Sequence, residues 1–356
     1  MTLLYSKMKM FHYQEKLDSL PLGSGRILAP LHIRIKPTNV CNHNCSYCAY
    51  RAENLQLGQD MVKTDRIPRE KMMEIVDDIL EMGVKAVTFS GGGEPFCYPH
   101  LAETATRLHK GGVKIASLTN GSLLRGELAE LFAHAGTWLR VSLDGFDDES
   151  YAAYRRVAVG DYTKLLDNMT AFKKLGGDCY LGVSLIVDER NHAHVYESLV
   201  RLMRCGVDSV KVSPCILSNS GAENNAYHRP FFDKVKKQVA KAQAQIQAPG
   251  FSIYDAYHEL DEKFDKDYRW CPYQQILPVI GADLNLYPCQ DKAYNLEEGL
   301  LGSMATERFR DVWFSDKTRF FRIDPSRHCR HHCVANAKNR MLFEYLDADP
   351  EHMAFV

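Results

Sequence analysis

The chain has 356 residues, 45% hydrophobic and 25% charged, with a formal net charge of −1. That balance belongs to a globular protein with room for about two domains and an ample core. It excludes a strongly basic nucleic-acid surface or membrane-binding face, and no run approaches the ~18 apolar residues of a membrane span.

Residues 1–30 read as an irregular extension, broken by Pro21, Gly23, Gly25 and Pro30. Glu15, Lys16 and Asp18 interrupt any apolar stretch there, so no secretory leader is read. A reduced, cytoplasmic setting is therefore expected for the eleven cysteines. From Leu31 the pattern alternates. Strands are expected at 31–35, 86–89, 114–118, 138–143, 179–187 and 208–213, and helices at 68–82, 101–109, 124–135, 163–175 and 192–205. Six strands alternating with helices predict parallel pairing through right-handed crossovers. Six such units are too few for a closed eight-fold barrel, so an open, partial α/β barrel is expected over 31–216. The alternation is expected to stop there. A long helix at 230–247 and a short strand at 251–257 make 217–268 a helical connector. Residues 269–345 read as a small domain of β-hairpin plus helix, and 346–356 as a tail.

The chemistry sits at the strand ends, where active sites of such barrels collect. Cys41, Cys45 and Cys48 follow the first strand with the spacing C-x3-C-x2-C. Thiolates suit iron–sulfur clusters, zinc and copper(I). A closed zinc site takes four protein ligands, whereas three thiolates on a [4Fe–4S] cluster leave one iron open. On spacing alone, a zinc knuckle borrowing its fourth ligand from elsewhere is the alternative. Gly91-Gly92-Gly93-Glu94-Pro95 follows the second strand. Glycines there let backbone approach a ligand, and the carboxylate can hold an ammonium group.

The cysteine spacing, with the aromatic Tyr47 before its third cysteine, together with Gly-Gly-Gly-Glu-Pro, resembles the radical S-adenosylmethionine (radical SAM) superfamily. The resemblance implies a (β/α)6 partial barrel. It also implies a [4Fe–4S] cluster on Cys41, Cys45 and Cys48, whose open iron chelates the methionine moiety of S-adenosylmethionine. An electron from a reductant such as flavodoxin or ferredoxin then yields a 5′-deoxyadenosyl radical. By the same resemblance Gly92, Gly93 and Glu94 would hold the methionine amino group and Tyr47 would touch the adenine. Asn120, Ser142, Arg155 and Ser184 would contact the ribose and the methionine carboxylate; the guanidinium of Arg155 suits a carboxylate.

Further along, Cys271, Cys289, Cys329 and Cys333 form a four-thiol set, with the C-x3-C pair Cys329/Cys333 expected on a helix start. Their order resembles the SPASM/twitch auxiliary-cluster domain. No cysteine follows Cys333, which favours the shorter twitch version with one fully ligated cluster. A structural zinc on the same thiols is the alternative. Of the remaining cysteines, Cys179 and Cys205 read as small core hydrophobes. Cys215, at the end of the last barrel strand, is the candidate hydrogen donor, with Cys97 in reserve. The expected activity is hydrogen abstraction from a sugar, aminosugar or cyclitol, leading to oxidation or epimerisation. The alternatives are a peptide maturase, forming crosslinks or epimers, and an activating enzyme for a protein partner.

Overall fold

The computed structural model describes residues 6–355 apart from 54, 56 and 260–263. The ends of the expected extension (1–5) and tail (356), and part of the connector (260–263), lie outside the described residues. Seven strands run parallel in chain order. They are β1 (His32–Ile35), β2 (Ala86–Phe89), β3 (Lys114–Thr119), β4 (Gly136–Leu143), β5 (Tyr180–Val187), β6 (Ser209–Pro214) and β7 (Ser252–Asp255). β7 and β1 are not paired with each other, so the α/β barrel is partial.

Local sequence accounts for the crossovers. In the helix Arg69–Glu81, Met72, Ile75, Val76 and Ile79 are buried, the spacing of one helical face. Pro68 precedes it, and Gly83 follows it with φ +73°, a conformation that favours glycine. These side chains pack on Ile33, Val87 and their counterparts on the other strands to form one core. Arg34 and Ser184 alternate with core residues and lie on the opposite, inner face.

Four expectations are corrected. The alternation does not stop after β6: β7 pairs with it in parallel, Val210 opposite Ile253 and Lys211 opposite Tyr254. The short strand expected at 251–257 is therefore a member of the barrel sheet and not part of a connector. The helix Asp148–Arg155 was not anticipated; an Asp147/Ser150 capping box starts it. The extension is not irregular throughout. It forms the helical turns Lys7–His12 and Gln14–Asp18, and its Met10, Leu17 and Leu20 pack on Ile276 and Leu342. Finally, Cys329 and Cys333 do not open a helix. They lie between the helices Pro325–His328 and Asn336–Leu346, because Asp324 caps the first helix one turn early.

The C-terminal region attaches to the free edge of β1. β8 (Val279–Ile280) pairs with it in parallel, and β9 (Asn285–Tyr287) and β10 (Gly302–Ser303) follow antiparallel. The result is a single ten-stranded sheet with β1 inside it. Among the described residues no helix is long and apolar enough to cross a membrane.

Candidate active site

The loop after β1 carries Cys41, Cys45 and Cys48 at the C-terminal end of the barrel, all free and half-buried. Two of the sulfurs accept N–H donors: Cys41 Sγ from the backbone of His43 at 3.4 Å, and Cys45 Sγ from Arg155 Nη1 at 3.7 Å. Burial pushes the Cys41 thiol up to about 11 and raises that of Cys45. Nearby cations of a metal centre would reverse that, since coordination deprotonates a thiol. His43 is neutral, its pKa lowered to about 4 by burial, and its Nδ1 is buried with no hydrogen-bond partner among the described residues.

The glycine loop and the cysteine loop are built against each other. Gly93 N donates to the Thr38 carbonyl and Glu94 N to the Val40 carbonyl. A Cβ on Gly93 would stand 2.2 Å from the Val40 oxygen, and one on Gly92 2.5 Å from Asn39 Oδ1. These glycines therefore first serve the close approach of two chain segments. Glu94 is buried. Its Oε1 accepts from Thr119 Oγ1 at 2.6 Å and Phe96 N at 3.1 Å, and its Oε2 from Asn120 N at 2.7 Å. Burial raises its pKa, and these donors oppose the rise. Of roughly four acceptor positions on a carboxylate, one is left for a ligand ammonium.

Asn120 reaches into the cysteine loop, its Nδ2 donating to Asn42 Oδ1 at 2.8 Å. Ser142 and Ser184 stand directly opposite each other on β4 and β5. Arg155 is buried and committed within the protein: Nε pairs with Asp144 at 2.8 Å, and Nη2 donates to the Ser142 carbonyl at 2.9 Å. Tyr47 also donates its hydroxyl to Asp144. Asp144 thus ties the aromatic of the cysteine motif to the arginine that touches Cys45. Sequence reasoning missed it as a site residue, although the Asp144-Gly145 ending of β4 was a signal. Cys215 is buried, with its thiol pushed up to about 12 by burial. It lines a cleft with Ser46, Tyr47, Asp188 and Arg190. Cys97 is half-buried beside Glu94 and receives the Asn42 N–H.

The second set is also brought together. Cys271, Cys289, Cys329 and Cys333 line one largely apolar cavity, with Lys266 and Lys292 at its wall. Burial raises all four thiols, three of them to about 12. Asn339 Nδ2 donates to Cys271 Sγ at 3.2 Å. Among the described residues, no three His, Cys, Asp or Glu side chains converge as ligands of a single metal ion.

A family model described as the radical SAM superfamily matches residues 35–201. GTP 3′,8-cyclase of Rhizobium etli is 28% identical over 163 residues, covering 45% of this chain and 44% of its own length. The tungsten-containing aldehyde ferredoxin oxidoreductase cofactor-modifying protein of Pyrococcus furiosus is 21% identical over 309 residues, covering 82% of this chain and 83% of that one. Among solved structures, Streptococcus suis SuiB bound to its precursor peptide SuiA matches with a TM-score of 0.60 at 16% identity, over 88% of this chain and 71% of that one. This last likeness is one of fold. The chain spans 44%, 25% and 57% of the first three curated relatives. The family model matches the part of the chain that holds both motif loops, and members of that family carry a [4Fe–4S] cluster and bind S-adenosylmethionine. The soft, half-buried donors of the first cysteine loop, held by N–H···S bonds, fit such a cluster.

Proposed function

We propose that this chain abstracts hydrogen from a small polar substrate (a sugar, aminosugar or cyclitol) at the C-terminal mouth of the barrel. The substrate electron then passes to a second cluster, making the net reaction a two-electron oxidation. One observation carries the reading: seven cysteines gather at two places, three on the loop after β1 and four round one cavity of the region that pairs with β1. Four thiolates on zinc would each lie about 2.3 Å from one point. The four thiols here line one cavity together, and we take them as the ligands of that second cluster in a SPASM/twitch-type domain over 269–345. We take the barrel to extend from residue 31 beyond 216 to β7.

When bound, the first cluster and its S-adenosylmethionine supply a hydrogen-abstracting radical. The chain's own residues hold the geometry. Arg155, fixed by Asp144, keeps a donor on Cys45 and orients Tyr47 through the shared carboxylate. Glu94 presents its remaining acceptor position to the methionine ammonium, with Gly92 and Gly93 setting the loop beside it. Asn120, Ser142 and Ser184 are the proposed polar contacts around the cofactor. A second reading, epimerisation, is favoured by Cys215: a thiol kept protonated at the cleft beside Tyr47 suits hydrogen return to a substrate radical.

Anaerobic reconstitution should load about eight irons, and about four after joint replacement of Cys41, Cys45 and Cys48 by alanine. Candidate sugars and cyclitols are then incubated in deuterated water. A product two hydrogens lighter than substrate supports oxidation. Solvent deuterium at an inverted carbon, lost in Cys215→Ala, supports epimerisation. Stoichiometric zinc with no iron overturns both.

A further inference from the structure

The inner face of the barrel is cationic. Ile33 and Ile35, Leu139 and Val141, and Val210 and Val212 enter the helix-packed core. Arg34, Arg140 and Lys211 alternate with them and so point inward. The seven strands carry one acidic residue, Asp255, and His258 engages it. Lys36 continues the inward row from β1 and is fully buried. Its ammonium donates to the Gly91 carbonyl at 2.9 Å and to the Tyr50 hydroxyl, lying 4.3 Å from the Tyr50 ring centre. A lysine has three donors, so one remains.

Two members of the row, Arg34 and Arg140, each bury an Nε with no hydrogen-bond partner among the described residues. Arg140 lies 5.7 Å from the Trp138 ring centre, whereas the Arg34 guanidinium forms no ion pair among the described residues. The carboxylate whose field reaches it, Asp291, is shared with Lys36 and Lys266. A cation out of water without acceptors is expensive, and a planar guanidinium fork matches an oxyanion. Arg34 also feels Cys289 of the second set, and Lys36 feels Cys48 of the first, so the pair lies between the two.

We infer that Arg34 anchors an oxyanion of the substrate, carboxylate or phosphate, inside the barrel between the two cysteine sets, with Lys36 beside it. The inference rests on the proposed function, for which it narrows the substrate to an anionic one. A neutral sugar would accept hydrogen bonds from the guanidinium but leave its charge uncompensated. Arg140 and Lys211 on the facing strands extend the favourable field.

The test uses the full chain, anaerobically reconstituted, with S-adenosylmethionine present. Inorganic phosphate and malonate are titrated separately by calorimetry, and the anion that binds tells phosphate from carboxylate. At least one should bind saturably. Arg34→Gln should weaken it about 10- to 100-fold, the loss expected for a charge-assisted contact, and Arg34→Lys by less. Iron content and affinity for S-adenosylmethionine should be unchanged in both variants. If Arg34→Gln does not fold, weakening in Arg34→Lys alone carries the test. The inference is overturned if neither anion saturates into the tens of millimolar, or if the variants bind as the wild type does. It is equally overturned if they only shift a cluster potential, which would make Arg34 a counter-charge. Iron counting separates the two readings: a chain without iron sinks the cluster assignment, whereas anion affinity dependent on Arg34 in that same chain still supports the anchor.

Discussion

Glu94 does two jobs with one carboxylate. Two of its acceptor positions join the glycine loop to the end of β3, and a third caps the turn that starts at Pro95 through Phe96 N. An amide at this place would turn an NH2 toward groups that are themselves donors. Glu94→Gln should therefore weaken S-adenosylmethionine binding about tenfold or more and lower Tm by about 2–6 °C, with iron content kept. Equilibrium dialysis and a thermal scan read the two effects, and a wild-type Tm would show that the three bonds hold nothing. The motif was legible in the sequence, but this second job was not, because its partners lie 25 and 26 positions away. The same holds for Arg155. Its type suggested a carboxylate partner, and the structure supplies Asp144 from within the chain. Arg34 was legible only as part of a strand. Its signal was a basic residue alternating with isoleucines where a parallel strand is usually apolar on both faces.

At the scale of elements, long periodic segments and strands of four residues were readable, and strands of two were not. The helix Asp161–Lys174 and strand β5 follow their patterns and β7 falls within the strand expected at 251–257, whereas β8 and β10 have two residues each and exist through pairing. The segment around the second cysteine set shows what such short pieces achieve. The turn after Cys289 buries Lys292, whose Nζ donates to the His328 carbonyl at 2.6 Å and pairs with Glu298. Lys266 donates to the Phe264 carbonyl at 2.6 Å and to that of His331. Two cations therefore flank Cys329 within a wall that is otherwise mostly apolar. Positive charge near a cluster favours its reduced form. Lys292→Met should lower the midpoint potential of the second cluster by tens of millivolts, read by a redox titration followed by electron paramagnetic resonance. The first cluster's potential is the internal control, and equal shifts in both would sink the assignment.

At the scale of the molecule, β1 sits inside the sheet rather than at its rim. Its backbone bonds β2 on one side and β8 on the other: Arg34 N donates to the Pro278 carbonyl, and Lys36 N to that of Ile280. The partition of the sequence into a barrel and a smaller C-terminal region described the order of elements but not this sharing, since the segments that meet lie more than 240 positions apart. A second seam crosses the same junction. Tyr294 donates to Asn39 at 2.6 Å, and Tyr50 and Met61 pack on Val279 and Tyr287. The C-terminal region thus acts as the cover of a strand edge that would otherwise recruit neighbours. A chain cut at residue 256 keeps every barrel strand but bares the N–H and C=O groups of β1. It should self-associate, eluting as large species in size-exclusion chromatography at concentrations where the whole chain is uniform. A clean, monodisperse barrel fragment would refute this. The cysteine-bearing appendage is, in this light, also a guard against edge-to-edge aggregation.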